Sequence, residues 1–299
     1  MKQLLFYGLF IFLSIMTIYA CGNDEEPCSQ FTWYEDADGD GLGNADISIE
    51  DCEQPTGYVS DNSDTNDTGG SSLVAGTTPV SAFEDFNTDA VRVSFNGDEI
   101  TIESNGLINH TSPYWQTSND LYIDPVIANS AQMSPGTITE RSYSLTVSSS
   151  PEIASSSSST GLGAIGIAVT GAPIFNDEEG PNISLSENVA SGFDYAGGHM
   201  GPQGYHYHLE AQGVNENTQV SFDDEKLVGI ISDGFLIYGR KCNATDDYPT
   251  DLDVSGGHSS STQHSDGEFY HYHIINELYV DKYYLLFGVD YQGTANRIL

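Results

Sequence analysis

Residues 226–239 read KLVGIISDGFLIYG. Two apolar runs of strand length, rich in Val, Ile, Leu, Phe and Tyr, flank Ser232-Asp233-Gly234, a triplet that suits a turn. The same texture recurs on either side, as VRVSF at 91–95, EITIES at 99–104, YSLTV at 143–147, AIGIAV at 164–169 and YYLLFGVDYQG at 283–293. Gly, Asn, Asp and Ser separate these runs, and no long stretch carries a 3.6-residue apolar period. The expected fold is therefore all-β, a packed-sheet domain. SSSPEIASSSSST at 148–160 is too polar to sit in a core and is expected as an exposed loop.

The charge balance narrows the partners. Of 299 residues, 8 are Lys or Arg and 44 are Asp or Glu, a formal net charge of −36. Such a chain cannot displace counterions from a phosphate backbone, so nucleic acid is excluded as a partner and cations are favoured. Hydrophobic residues still make up 38%, with 18 Tyr and 13 Phe, enough for a core.

Before the β-rich region the chain carries segments with other roles. Lys2, the apolar run 4–20 and Cys21 have the form of a secretory signal. Ile18-Tyr19-Ala20-Cys21 resembles a bacterial lipobox, which implies a signal peptide over 1–20 and a membrane anchor by lipid at Cys21; an uncleaved anchor would leave the domain on the same side. The acidic tether 21–27 resembles the surface-export signal of Bacteroidota lipoproteins, which implies the cell envelope and an exposed outer-membrane lipoprotein. Cys28 and Cys52 flank an acidic segment and could pair in an oxidising compartment, leaving Cys242 as an odd, semi-buried thiol.

Residues 28–68 form a small acidic module, followed by a Gly/Ser-rich linker over 69–80 and a larger domain over 81–299. Asp36, Asp38 and Asp40 alternate before Gly41, a spacing that lets a turning loop wrap oxygens around a hard cation; calcium fits best. Asp61, Asp64 and Asp67 could add ligands if the chain folds back. The twelfth loop position is Ile47 rather than a bidentate acid, so this is no standard EF-hand. The pattern, with Trp33-Tyr34 before it and Pro55 to Val59 after it, resembles the calcium-binding repeats of thrombospondin type 3. The expectation is a calcium-ordered loop module.

Two words draw the chemistry together: GYHYHLE at 204–210 and FYHYHII at 269–275. In a strand, alternate residues share a face, so His206 and His208 lie on one side with Tyr205 and Tyr207 on the other, and likewise His271 and His273 against Tyr270 and Tyr272. A histidine pair at this spacing can grip a transition metal while the tyrosines pack inward. The repeat is longer than the word. Asp194-Tyr195-Ala196-Gly197-Gly198-His199 precedes the first, and Asp253-Val254-Ser255-Gly256-Gly257-His258 precedes the second, an internal pseudo-repeat. The candidate ligands are His199, His206, His208, His258, His271 and His273, with His110 as an addition, in one or two sites. The duplication favours one site built from two similar halves. Imidazole suits copper or zinc above manganese, with Asp194, Asp233 and Asp253 expected to orient ring N–H groups.

The motifs SNGLINH at 104–110, IGIAVTGAPIFN at 165–176, GGHMGPQGYHYH at 197–208, ISDGFLIYG at 231–239 and the second GGH…YHYH resemble, in order, the YHYH-domain family of bacterial secreted proteins over about residues 90–290. The resemblance implies no particular activity. Besides metal binding, three readings stand: histidines that only bond loop backbones, a metal-dependent enzyme (a hydrolase or copper oxidoreductase), and a metal-free surface module that meets a protein or carbohydrate through aromatics such as Tyr114-Trp115. G-x-S-x-G, H-E-x-x-H and a phosphate-binding glycine loop are all absent.

Overall fold

Short runs of β-branched and aromatic residues, punctuated by Gly, Asp and Ser, give short strands, and sheets dominate the structure. The computed structural model describes residues 30–35, 43–52, 54–60, 62, 76–125, 127, 129–211, 222 and 224–299. The chain divides between Ser71 and Ser72 into two units.

The first unit contains β1 (Phe31–Glu35), β2 (Asn44–Asp51) and β3 (Tyr58–Val59), a three-stranded antiparallel sheet in the order β2-β1-β3. The module expected as loop thus has a strand framework, since Phe31 pairs with Asp51 and Glu35 with Asn44, and the acidic segment joins the two strands. Asp36, Asp38, Asp40, Asp61, Asp64 and Asp67 lie outside the described residues, as do Cys21, Cys28, the signal segment and the tether. Cys52 is disulfide-bonded, whereas Cys242 is a free, buried thiol.

In the second unit, Thr78 is already buried and bonds Ser149 O, so the end of the expected linker belongs to the domain. A 3-10 helix spans Val80–Asp85. Three strands then form an antiparallel meander: β4 (Val91–Asn96), β5 (Glu99–Ser104) and β6 (Tyr143–Ser148). There follow β7 (Gly166–Ala168), β8 (Pro173–Ile174), β9 (Glu178–Gly180), β10 (Ile183–Ser184), the short helix α1 (Glu187–Ala190), β11 (Gly198–Gly201), β12 (Gly204–Tyr207), β13 (Leu227–Ile231), β14 (Leu236–Tyr238), β15 (Gly257–Thr262) and β16 (Ser265–His273). Strands β9 and β10 pair alone; the rest form one eight-stranded sheet in the order β11-β12-β8-β7-β13-β14-β16-β15.

That order is a palindrome of function. On each side of the central antiparallel pair β7–β13 comes a hairpin partner (β8 or β14), then a parallel strand (β12 or β16), then its antiparallel edge strand (β11 or β15). Ile167 faces Ile230 at the centre, while Gly166 faces Ile231 and Ala168 faces Gly229, a register that reads the same from either strand. The repeat therefore begins earlier than the histidine loops, with GIAVTGAPIFN at 166–176 answering GIISDGFLIYG at 229–239.

Alternation sorts the two faces of the sheet. Ile167, Ile230, Leu236, Tyr238 and Phe269 pack against Ile100, Ile102, Leu145 and Val147 of the meander. Ala168, Ile231, Ile237 and the tyrosines at 205, 207, 270 and 272 enter a second core with Tyr114, Trp115 and Phe287. Tyr114 and Trp115 are buried, and the indole donates to His110 O, so this pair offers no exposed aromatic surface.

The glycine pairs that precede the histidines position both hairpins. Gly197 and Gly256 have φ of 81° and 74°, a conformation that other residues resist. At Gly198 and Gly257, a Cβ would overlap the hydroxyls of Tyr205 and Tyr270. Those hydroxyls donate to Asp194 and Asp253 at 2.8 and 2.9 Å, and each Asp also accepts backbone N–H groups of its own turn, from Ala196 and Gly198 or from Ser255 and Gly257. Asp, two glycines and Tyr thus form one lock in each half.

Candidate metal centres

The first centre gathers His199 from β11 with His206 and His208 from β12 and its extension. All three are buried, and their nearest ligand atoms lie within 4.8 Å of one another. His199 pairs directly with His206 across the β11–β12 ladder. Phe175 stacks on His206 at 3.9 Å between ring centroids, and Phe193 stacks on His199 at 4.1 Å, fixing both ring planes. His206 Nδ1 lies 3.0 Å from Gly204 O and His208 Nδ1 lies 2.5 Å from Asn176 O. A carbonyl only accepts, so both Nδ1 atoms carry the proton and both Nε2 atoms present a lone pair.

Glu179, which the sequence did not single out, completes this cluster. Its Oε1 sits 3.3 Å from both His199 Nε2 and His208 Nε2. These three atoms are buried and have no hydrogen-bond partner among the described residues. Burial pushes the His208 imidazole down to about 4 and that of His206 well below its ordinary value, with the neighbouring imidazoles adding to the effect. Burial pushes the Glu179 carboxyl up, but His199 and His208 outweigh it and hold the group below its usual range. All four donors line a cleft of about 140 Å³, together with Leu162, Pro202 and Gln203.

The second centre repeats this arrangement with His258 from β15 and His271 and His273 from β16. His273 Nε2 lies 3.2 Å from His258 Nε2 and 3.1 Å from His271 Nε2. Each opposite ring nitrogen has an acceptor: Asp251 Oδ1 at 2.9 Å from His258 Nδ1, Phe269 O at 2.9 Å from His271 Nδ1, and Gly239 O at 2.7 Å from His273 Nδ1. Three Nε2 atoms therefore converge, with Ser260 Oγ 3.2 Å from that of His258. Cys242 joins them, grouped with His258 and His273 within 4.8 Å. Burial pushes His271 down to about 4; burial also lowers His258, but Cys242 and Asp251 more than restore it. One proton on His258 satisfies a single edge of this cluster, and the His271–His273 edge still sets two lone pairs face to face.

The spacing fits a metal. Four donors arranged tetrahedrally at 2.0–2.1 Å from an ion are separated by about 3.3 Å. Two edges in each centre, 3.1 and 3.2 Å in the second and 3.3 Å twice in the first, fall near that value, while the groupings His199-His206-His208 and Cys242-His258-His273 hold within 4.8 Å.

Residues 144–251 match the sequence profile of the family described as YHYH protein. That span contains β7 to β14, all of β6 but its first residue, and the first histidine word, whereas the second word lies beyond it. No curated protein and no solved structure matches the chain. Within the YHYH region, therefore, the site's chemistry rests on its own geometry.

Several expectations need correction. The two histidine words do not meet in one site; they occupy the two outer strand pairs of the sheet, with β8, β7, β13 and β14 between them. His110 joins neither centre. It is buried on the tyrosine face, with Nε2 2.7 Å from Tyr207 Oη and Nδ1 2.9 Å from Thr111 O, so both ring nitrogens are engaged. Asp194, Asp233 and Asp253 do not orient the histidines: they lie in turns, and the tyrosines they bond are the residues that alternation sets on the face opposite the imidazoles. They hold Tyr205, Tyr272 and Tyr270 instead. Among the candidate ligands in the described residues, the ring nitrogen held from behind by a carboxylate is His258 Nδ1, 2.9 Å from Asp251 Oδ1. The sequence did not single out Glu179 and marked Cys242 only as an odd, semi-buried thiol, because neither lies in a recognisable motif; the signal was their common place in the repeat, each following the strand pair Gly-Ile…Ile by the same count.

Proposed function

We propose that this protein binds transition metal ions at two centres, His199, His206 and His208 in one and His258, His271 and His273 in the other, with copper or zinc as the natural occupants and manganese less suited. The observation that carries this reading is the set of imidazoles whose Nδ1 atoms are committed to acceptors while their Nε2 atoms converge at 3.1–3.2 Å. Uncharged lone pairs at that distance repel, and a bound cation turns the repulsion into ligation. Imidazole donors suit copper and zinc.

Around this domain the reading places a lipid anchor at Cys21, an envelope location facing outward, and a calcium-ordered module at 28–68 whose ligands would be Asp36, Asp38, Asp40, Asp61, Asp64 and Asp67. The alternating acids and the lipobox-like residues support it.

Elemental analysis of the full chain after equilibration with zinc or copper(II) tests the metal proposal. Two ions per chain are expected, His206→Ala and His271→Ala each losing one of them. Binding that survives loss of all six histidines, or no retained metal in the wild type, would sink the proposal.

A second reading has one observation in its favour. The first centre lines a cleft, so a metal there could keep an exchangeable position and act as an enzyme on an extracellular substrate. Turnover lost in His206→Ala but kept in His271→Ala would support it.

A further inference from the structure

We infer that the two centres hold different metals, because the duplicated site has diverged at its fourth donor: the carboxylate of Glu179 in the first half, the thiolate of Cys242 in the second. The inference rests on the proposal that both clusters bind metal, and adds what each one selects.

The equivalence of Glu179 and Cys242 follows from the register of the sheet. Ile167 faces Ile230 at the centre. Thr170 and Asp233 occupy matching turn positions and bond the hydroxyls of Tyr207 and Tyr272. The carbonyls of Asn176 and Gly239 accept from Nδ1 of His208 and His273. Ile167 and Ile230, Thr170 and Asp233, and Asn176 and Gly239 are each separated by the same number of residues along the chain, and continuing that offset past Asn176 and Gly239 brings Glu179 onto Cys242. Both side chains do then reach their own histidine cluster, Glu179 through the two 3.3 Å approaches and Cys242 through its grouping with His258 and His273.

The donor atoms differ in kind. A carboxylate oxygen with three imidazoles makes a borderline-to-hard set suited to a divalent ion; a thiolate with three imidazoles makes a softer set that favours copper(I). The surroundings differ in the same sense. All four donors of the Glu179 centre line the 140 Å³ cleft. In the Cys242 centre, His273 borders a cavity of about 190 Å³ walled by Leu285, Leu286 and Phe287, and Cys242 itself is 1% exposed against 21% for the Glu179 side chain. The Glu179 centre is thus the exchangeable, divalent-ion centre, and the Cys242 centre the enclosed, thiophilic one.

The test loads metal-free full-length protein anaerobically with copper(I) and zinc(II) supplied together, then measures both metals and the thiolate-to-metal absorption after cobalt(II) substitution. One copper and one zinc per chain are expected. Cys242→Ser should lower copper(I) affinity by about tenfold or more and abolish the thiolate band while leaving zinc content unchanged. Glu179→Gln should lower zinc affinity and leave copper(I) and the thiolate band intact. Far-ultraviolet circular dichroism confirms that both variants fold. Equal copper(I) loading of both centres, or unchanged copper(I) affinity in folded Cys242→Ser, would overturn the inference while leaving the binding proposal standing. Retention of neither ion by the wild type would overturn both.

Discussion

At the scale of single residues, the decisive property is which ring nitrogen holds a proton. His271 and His273 read identically in the sequence to any buried histidine pair; the carbonyls of Phe269 and Gly239 make them ligands by fixing the tautomer. The sequence could place these imidazoles on one face and the tyrosines on the other, because a period of two needs no tertiary information. It could not assign Asp194, Asp233 or Asp253, since their partners arrive from distant strands. Asp233 provides a test of that network. Burial pushes its carboxyl up to about 6, despite the bonds it accepts from Tyr272, Gly293 and Phe235. A raised folded value means that stability from this group is complete below its unfolded value near 4 and is lost as pH rises through about 6. The difference amounts to about 3 kcal/mol. Thr170, its counterpart, holds Tyr207 without a charge. Asp233→Asn should therefore lose this fall in stability between pH 4 and 6, measured by urea unfolding in chelator against the wild type. An unchanged pH profile would mean that Asp233 keeps an ordinary carboxyl.

At the scale of elements, the unit is a hairpin with its lock: a turn stapled by Asp, a glycine pair that admits a tyrosine hydroxyl, and an edge strand that presents one histidine opposite another. The pair His258 and His271 is a direct cross-strand pair in this ladder, as is His199 with His206. The glycine pairs were legible as tight turns, but what they make room for was not, because the tyrosine lies on the opposite strand. Gly257→Ala sets a methyl group into the Tyr270 hydroxyl and should cost about 1–3 kcal/mol and loosen the second centre. Gly267→Ala, near only Ser265 Oγ at 3.5 Å, is the control and should be close to neutral. Thermal unfolding of both variants, with and without zinc, decides the matter; equal losses would show that the lock is unimportant.

At the scale of the whole molecule, the all-β class could be read from short apolar runs, and the partial repeat from its glycine–histidine words. The full duplication was hidden because IGIAVTGAPIFN and VGIISDGFLIYG share backbone demands more than side chains: Ala172 stands where Phe235 does, and Pro173 where Leu236 does. The acidic module follows a different logic. With a net charge of −36, the chain draws cations to itself, and crowded carboxylates repel one another until an ion joins them. Limited proteolysis of residues 28–68 should slow markedly in calcium relative to chelator. Equal rates would remove calcium from the account.

The central register carries one last implication. Gly166 with Ile231, Ile167 with Ile230 and Ala168 with Gly229 form a self-complementary seam, the pairing that two identical chains adopt across a twofold axis. The eight-stranded sheet has the form of an isologous dimer fused into a single polypeptide. Fusion frees the protomers from sequence identity, so one half can keep a carboxylate while the other takes up a thiol. A homodimer, encoded once, could never hold that difference.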